Sequence, residues 1–330
     1  MPTLYIQEQG ATVRKSGQQV IISKAGKTLE TIPLHKIDQV VLMGRGVQMS
    51  TALLVDLLAR DIPVMLTNQR GSRHYATLTA GPSRFGPLRI QQIARVADSA
   101  WALELARAQI AAKLANQRGL IATTGWAAAN TAISQIDGAI AGLAQATTMD
   151  TVRGYEGAAA ASYFGAWRTI FQRSWNFQGR AFYPPPDPLN AMLSFGYTLL
   201  LHDVLTAVQF TGLDPYLGTF HVTETGRPSL ALDLMEEFRP LIVDRLVLDL
   251  IASGAITPTM VERPIDRPDA VYLAANARRT LIDRYEALMQ QTTRLPTGEQ
   301  TPFRRVVLLQ AQAVARMVRG EQARYTGYTP

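Results

Sequence analysis

The chain has 330 residues, of which 47% are hydrophobic and 18% charged, and its formal net charge at pH 7 is +7. This balance excludes an intrinsically disordered chain, leaves room for two domains with their own cores, and favours a polyanionic partner. The absence of cysteine excludes disulfides and thiolate metal sites and is compatible with the cytoplasmic location that we expect.

Short β-type runs separated by turn residues fill residues 1–80. Leu4–Ile6, Val20–Ile22 and Val40–Leu42 are examples, and their spacing predicts a small antiparallel sheet or sandwich. Ser50 can cap a helix, and the leucines that follow it recur at helical spacing as far as residue 60. We therefore predict a β-rich N-terminal domain that contains one short helix.

A sharp change of composition follows residues 81–87, where two prolines and two glycines in seven residues predict a linker. Alanine, leucine, glutamine and arginine dominate from there on. We predict helices over 88–118, 127–145, 150–174, 187–211, 229–252, 270–292 and 301–319. The fold class is thus α+β, a small β-sandwich-like domain followed by a larger all-α catalytic domain over 88–330.

The longest apolar run, Ala191–Leu205, is interrupted by polar residues such as Ser194 and His202. It does not reach the length of about 18 residues that is typical of a membrane span. We predict a buried helix there and expect no membrane partner. The N-terminus also lacks the pattern of a signal peptide.

Acidic side chains lie inside two otherwise apolar helical regions, and a histidine lies near a helix junction between them. Glu156 precedes alanines that let a neighbouring helix approach closely, His221 follows a turn-rich connector, and Asp233 and Glu236 share a helix face at i, i+3. Each has an ordinary alternative: a glutamate at the surface, a hydrogen-bonded core histidine, or a solvated acidic face that includes Glu237. Together, one imidazole and several carboxylates suit Mn²⁺ or Mg²⁺.

Three motifs are specific when they occur in this order and spacing. They are the run from Glu156-Gly157 to Tyr163-Phe164, the step Gly218-Thr219-Phe220-His221, and residues 230–240 with Asp233 and Glu236. In these motifs, and in β-type runs upstream, the chain resembles the CRISPR-associated spacer integrase family over nearly its whole length. The resemblance implies a metal-dependent DNA endonuclease and integrase of CRISPR adaptation. Such an enzyme joins the 3′-hydroxyl ends of short DNA duplexes to repeat-array DNA by transesterification.

The resemblance also implies roles for individual residues. Glu156, His221 and Glu236 would hold the divalent metal, Mg²⁺ or Mn²⁺, and Asp233 would be an accessory catalytic acid beside them. The chain departs from the family pattern in two places. Glu237 stands where the family often has proline, which adds a negative charge next to the site, and Glu236 stands where some relatives have aspartate.

The path of the DNA is expected to be basic. Only five of the 33 basic residues are lysines, and arginine binds phosphate through two hydrogen bonds, although a GC-rich genome also favours arginine. Arg239 either binds phosphate or neutralises Glu236, and Tyr163 and Trp167 either stack on splayed bases or pack between helices. The expected DNA contacts are Arg84, Arg89, Tyr163, Trp167, Arg168, Arg173, Arg239, Arg245, Arg278 and Arg279.

Besides DNA, the resemblance implies a homodimer, with the N-terminal domain as the expected contact, and a small companion CRISPR adaptation protein. Two alternatives are a transposon-type integrase or a branched-DNA repair nuclease of the same superfamily. A third is a DNA-binding scaffold without catalytic activity. The transposon relatives usually carry an added C-terminal DNA-binding domain, so the end of this chain at Pro330 favours the CRISPR integrase over a transposon-type integrase.

Overall fold

The computed structural model describes residues 3–69, 71, 74–79, 85–181, 184–265 and 267–330. The chain divides into two compact units, Met1–Arg84 and Phe85–Pro330. Residues 81–84 of the predicted linker, and with them Arg84, lie outside the described residues. Gly86 and Pro87, by contrast, begin a helix, because proline is well accommodated in the first helical turn.

The described part of the first unit contains eight strands, one α-helix and a short 3₁₀ helix, Leu34–Lys36. The α-helix is α1 (Thr51–Ala59), and the Ser50 hydroxyl caps it by accepting a hydrogen bond from the Leu53 amide, as the sequence predicts. The strands are β1 (Thr3–Ile6), β2 (Ala11–Ser16), β3 (Gln19–Lys24), β4 (Lys27–Pro33), β5 (Gln39–Met43), β6 (Gln48–Met49), β7 (Val64–Thr67) and β8 (His74–Leu78). They form two four-stranded sheets, β1-β5-β7-β8 and β4-β3-β2-β6.

One apolar core joins both sheets and α1. Val13 and Ile22 from one sheet, Val40 and Val64 from the other, and Leu53 from α1 all belong to it. The sandwich-like prediction is confirmed, but the antiparallel one is wrong in part, since β5 pairs in parallel with β1 and with β7. The chain returns through α1 between β5 and β7, and such a crossover is what parallel strands require.

The second unit is mainly helical. Its helices are α2 (Gly86–Ala97), α3 (Ser99–Ala122), α4 (Ala129–Ala144), α5 (Met149–Phe171), α6 (Pro188–Phe210), α7 (Ser229–Met235), α8 (Arg245–Ala252), α9 (Ala275–Gln290) and α10 (Phe303–Arg319). A π-helical turn, Arg239–Asp244, joins α7 to α8. Two small antiparallel ladders, β9 (Val261–Glu262) with β10 (Tyr272–Leu273) and β11 (Thr292–Arg294) with β12 (Gln300–Pro302), show that this unit is not all-α as predicted.

Two predicted helices are interrupted in the structure. The helix predicted over 88–118 is two helices, because the Asp98 carboxylate accepts hydrogen bonds from the amides of Ala100 and Trp101 and starts a new helix there. The helix predicted over 229–252 changes to π-helical geometry around Pro240, whose nitrogen carries no hydrogen. The π-helical turn begins at Arg239, three residues after Glu236.

Helix α6 contains the apolar run that the sequence singles out. Among the described residues it is the one helix long and apolar enough to cross a membrane, and 78% of its most apolar window is buried inside the protein. The core helix of a globular unit passes the same test of length and composition, so this helix agrees with the prediction of a buried element.

Candidate active site

Asp233 organises the loop that carries His221. Its buried carboxylate accepts hydrogen bonds from the amides of Thr219, Phe220 and His221 at 2.6, 3.0 and 2.8 Å. The same carboxylate lies 2.7 Å from His221 Nδ1. Asp233 therefore fixes both the backbone of the loop and the orientation of the imidazole, whose Nε2 is left facing the other way.

Gly218 allows this loop to approach Asp233. A Cβ atom at Gly218 would lie 2.6 Å from the carbonyl carbon of Ser229 and 2.8 Å from Asp233 Oδ2, distances that real Cβ contacts do not reach. The glycine of the motif is thus required by the close contact between the loop and the start of α7.

Glu236 is a buried carboxylate surrounded by cations. Its Oε1 lies 3.2 Å from Arg239 Nε and 3.8 Å from His221 Nε2, and its Oε2 lies 2.6 Å from Lys113 Nζ. Burial alone would raise the pKa of Glu236, but the positive charges of Arg239 and Lys113 outweigh it and lower the pKa to about 2. Glu236 is therefore ionised, and the solvated acidic face that the sequence left open as an alternative is wrong.

Glu156 reaches the same place from α5. Its Oε1 accepts a hydrogen bond from Lys113 Nζ at 2.6 Å. Lys113 projects from α3, and its side chain is only 10% exposed, so one ammonium group bridges the carboxylates of Glu156 and Glu236. Burial alone would lower the pKa of Lys113, but the two glutamates outweigh it and raise the pKa above its ordinary value.

A cavity of about 550 Å³ connects these side chains. Tyr197 forms part of its wall, and the guanidinium carbons of Arg239 and Arg180 lie 4.5 and 5.3 Å from the centre of the Tyr197 ring. The charged or imidazole side chains that line the cavity are Lys113, Glu156, Arg168, Arg180, His221, Glu236, Arg239 and Asp244. Four of these eight are basic residues, so the cavity suits an anion that bears several oxygen atoms.

The side chains fit a divalent cation by their chemistry. Two carboxylates and an imidazole nitrogen suit Mg²⁺ or Mn²⁺, and the contact of His221 Nδ1 with Asp233 is the partnership that metal-bound histidines usually have. Across residues 3–69, 71, 74–79, 85–181, 184–265 and 267–330, however, no three acidic, cysteine or histidine side chains are placed to hold a metal as they stand. The ammonium of Lys113 lies between the two glutamates.

Glu237 does not add a charge to the site. Its buried carboxylate points to the other side of the segment, where it accepts hydrogen bonds from the Tyr325 hydroxyl at 2.6 Å and the Tyr328 amide at 2.7 Å. Burial raises the pKa of Glu237 to about 7. The departure from the family pattern therefore concerns the packing of the C-terminal segment and not the cavity.

The family model for the CRISPR-associated protein Cas1 matches residues 4–287. The chain belongs to the Cas1 family. A curated relative, the CRISPR-associated endonuclease Cas1 2 of Rhodospirillum rubrum, is 35% identical over 98% of this chain and 96% of its own length. These matches confirm the family resemblance found in the sequence.

Solved structures share the fold. A casposase bound to integration product superposes with a TM-score of 0.85 at 20% identity, covering all of this chain and 94% of that one. A chain of a Cas6-RT-Cas1–Cas2 complex gives a TM-score of 0.84 at 22% identity, covering 99% of this chain and 36% of that one. The predicted order of a β-rich unit followed by a helical unit is the architecture that these Cas1-fold structures share.

Tyr163 and Trp167, which the sequence predicts as stacking platforms for DNA bases, are fully buried. Trp167 packs edge-on against Trp126, with ring centres 5.9 Å apart, and the Tyr163 hydroxyl donates to Asp244 at 3.0 Å. The base-stacking prediction is wrong for both side chains, since bases cannot reach them, and the helix-packing alternative is what the structure contains.

The predicted arginines fall into several places. Arg168 and Arg239 line the cavity with the candidate ligands, and Arg239 also neutralises Glu236, so both alternatives raised for it remain compatible. Arg173 and Arg279 are exposed, and Arg89 donates to the Gly212 carbonyl. Arg245 lines a separate groove beside α8, and Arg278 donates to the Leu273 carbonyl at 2.5 Å. Of the predicted arginines that the structure describes, only Arg168 and Arg239 therefore line the candidate site.

Sequence reasoning missed Lys113 and Arg180. Lys113 had a recognisable signal, because it is the only lysine after residue 36 and it stands between Ala112 and Leu114 in an apolar helix. A lone cation in such surroundings needs a charged partner. Arg180 follows α5 in a connecting segment and offers no comparable pattern.

Proposed function

We propose that this protein is a divalent-metal-dependent DNA integrase and endonuclease of CRISPR adaptation. It joins the 3′-hydroxyl ends of short DNA duplexes to repeat-array DNA. The observation that carries the proposal is the convergence of Glu156, His221 and Glu236, from three distant parts of the chain, on one cavity lined by arginines. Membership of the Cas1 family supports it.

The basic side chains of the cavity bind the target phosphodiester. Arg168 and Arg239 present guanidinium groups, and Arg180 is oriented by a hydrogen bond from its Nη1 to Asn190 Oδ1 at 2.9 Å. Phosphoryl transfer depends mainly on positioning and on stabilising the charge of the phosphate oxygens. These arginines position the phosphate and stabilise its charge, and such contacts do not depend on the base sequence of the DNA.

Glu156, His221 and Glu236 are the residues that would hold the metal. A bound divalent cation would stabilise charge on the phosphoryl group and lower the pKa of the attacking hydroxyl. Asp233 keeps the Nδ1 side of His221 engaged and leaves Nε2 for the cation, so His221 is not the general base. Asp233 is then a positioning residue and not a further ligand.

The reaction needs no external energy source. The 3′-oxygen of the incoming strand forms a bond to phosphorus while the bond from phosphorus to the leaving 3′-oxygen breaks. The proton of the attacking hydroxyl is lost and the leaving oxygen gains one, so one diester replaces another. Water in place of the 3′-hydroxyl turns the same site into a nuclease.

For partners, we propose a homodimer that contacts through the β-rich unit and a small companion adaptation protein. One neighbour in fold belongs to a complex that contains Cas2, and another, the casposase, is bound to an integration product. The first supports a companion protein as a partner of this chain, and the second supports DNA.

The test is a strand-transfer assay with purified protein, a labelled duplex with free 3′-hydroxyl ends, a supercoiled plasmid with a repeat, and Mn²⁺ or Mg²⁺. We expect the label to become covalently joined to the plasmid. This joining should be lost when the duplex ends in a 2′,3′-dideoxynucleotide, which lacks the attacking 3′-hydroxyl. His221→Ala and Glu236→Gln should abolish joining and keep DNA binding. Glu224→Gln, a change at an exposed glutamate three residues from His221, is the matched control.

Two outcomes would contradict the proposal. If His221→Ala joined DNA as fast as the unchanged protein, the candidate site would not be the catalytic one. If no variant and no metal gave joining or cleavage while DNA binding persisted, the protein would be a scaffold.

A further inference from the structure

Lys113 is an unusual component of a site for a divalent cation. Its nitrogen lies 2.6 Å from Glu156 Oε1 and 2.6 Å from Glu236 Oε2, and its side chain is 10% exposed. The positions on either side of it, Ala112 and Leu114, are buried and apolar. A buried lysine with two glutamates is a tight cluster of charges, in which Lys113 is shared by both carboxylates and Arg239 pairs with Glu236 as well.

Lys113 and a divalent cation compete for the carboxylates of Glu156 and Glu236. Both oxygen atoms lie within hydrogen-bonding distance of the same nitrogen, so Lys113 neutralises the two carboxylates that a divalent cation needs. A cation that binds to Glu156 and Glu236 brings two positive charges close to the ammonium, and like charges at that distance repel strongly.

We propose that Lys113 is the built-in counter-cation of this site, which holds Glu156 and Glu236 together without metal and must leave them when a divalent cation binds. The inference rests on the proposed metal site, and it adds a residue that limits the affinity of that site. Lys113 is a positioning residue here, because it acts through the two glutamates.

The displaced ammonium needs a new acceptor. Among the described residues that line the cavity, the remaining carboxylate, Asp244, already accepts hydrogen bonds from Tyr197 and Tyr163 at 2.6 and 3.0 Å. A phosphodiester oxygen of DNA in the cavity supplies the missing acceptor. Lys113 therefore couples the two binding events: DNA receives the lysine that the metal displaces, so each ligand raises the affinity for the other.

The experiment measures Mn²⁺ binding to the full-length protein by isothermal titration and electron paramagnetic resonance, without DNA and at one pH. Lys113→Met removes the competing charge and keeps the length of the side chain, so it should bind Mn²⁺ roughly tenfold more tightly, within the usual range of coupled binding. Lys113→Arg should bind Mn²⁺ more weakly than the unchanged protein, because a guanidinium grips carboxylates through two hydrogen bonds.

The matched control is Arg118→Met. Arg118 lies on the same helix and pairs with Asp137 in an exposed ion pair at 2.6 Å, away from the cavity. Its loss should leave Mn²⁺ affinity unchanged. A merely structural role of Lys113 would not change the affinity in opposite directions for methionine and arginine.

A second titration adds a short DNA duplex. The duplex should tighten Mn²⁺ binding to the unchanged protein by several-fold, and this gain should largely disappear in Lys113→Met. Circular dichroism checks that each variant folds, and if Lys113→Met does not fold, the weaker binding by Lys113→Arg decides. Equal or weaker Mn²⁺ binding by a folded Lys113→Met, or equal binding by Lys113→Arg, overturns the inference.

Failure of the inference and failure of the metal site give different results. If His221→Ala and Glu236→Gln leave Mn²⁺ binding unchanged, the metal is elsewhere and the proposed function loses its basis. If those two variants abolish binding but changes at Lys113 have no effect, the metal site stands and only the role of Lys113 is wrong.

Discussion

Asp233→Asn is the change that probes the site most selectively. The two side chains have the same shape, so the substitution leaves no cavity and alters only charge and hydrogen bonding. In the unchanged protein, Oδ2 accepts from the amides of Thr219 and Phe220, and Oδ1 accepts from the amide of His221 and lies against its Nδ1. An asparagine amide nitrogen must replace one of these oxygens.

The less costly orientation places that nitrogen beside His221. There it leaves one backbone amide without an acceptor, while Nδ1 can accept a hydrogen bond if the imidazole proton moves to Nε2. Losing one hydrogen bond to a charged group costs about 1.5–3 kcal/mol of unfolding free energy. For a unit of this size that lowers the melting temperature by roughly 3–12 °C. The Nε2 proton then points into the cavity and blocks the nitrogen that we propose for the metal.

The assay combines denaturant unfolding with nitrogen NMR of protein labelled at its four histidines. We expect a proton on Nδ1 of His221 in the unchanged protein and on Nε2 in Asp233→Asn, together with loss of Mn²⁺ binding and strand transfer. Asp98→Asn is the control, because asparagine caps a helix as well as aspartate does. An unchanged tautomer, or a loss of stability no larger than that of the control, would refute the reasoning.

Three further predictions concern stability and pH. Gly218→Ala should lower the free energy of unfolding by about 1–3 kcal/mol and impair strand transfer, because the new Cβ would meet Ser229 and Asp233. Gly157→Ala is the control, since open space surrounds Gly157, and it should be neutral or stabilising. Equal denaturation midpoints for the two variants would contradict this. Arg304→Met should lower the free energy of unfolding, measured in urea, by about 3–5 kcal/mol, because buried Arg304 is paired with Asp203 and Glu286 at 3.1 and 2.7 Å. The same change at exposed Arg305 should lower it little. Burial raises the pKa of Asp244 to about 6, so the folded protein binds a proton that the unfolded chain has lost, and the contribution of Asp244 to stability falls as pH rises from about 4 to 6. The unfolding free energy of the unchanged protein relative to Asp244→Asn should therefore drop by about 3 kcal/mol over that range, and a flat difference would show that Asp244 is ionised throughout.

The sequence predicted the kinds of elements better than their arrangement. The short β-type runs became strands because alternation and turn residues act locally. The parallel pairing of β5 was missed although Val40–Leu42 is a continuous apolar run, which is typical of a strand covered on both faces. The break at Asp98 also had a signal in the sequence, since aspartate is a strong helix N-cap. The alanines and leucines around it favour helix, so one continuous helix was predicted.

For the site, order and spacing predicted which residues meet, but not how they are buried. The i, i+3 spacing of Asp233 and Glu236 is the same on an exposed face as on a buried one. Only the fold brings the amides of residues 219–221 onto Asp233 and the cations of Lys113 and Arg239 onto Glu236. For the same reason, the i, i+4 spacing of Tyr163 and Trp167 could not show that both rings are inside.

The central claim is that Glu156, His221 and Glu236 share one divalent cation. Anomalous diffraction from a crystal soaked in Mn²⁺ tests it most directly. We expect a single strong peak within coordination distance of His221 Nε2 and both carboxylates, with the Lys113 ammonium moved away from the glutamates. The same protein with Glu236→Gln should lose that peak. A manganese peak that contacts none of these three side chains, or no peak while strand transfer proceeds in the same Mn²⁺ concentration, would contradict the account.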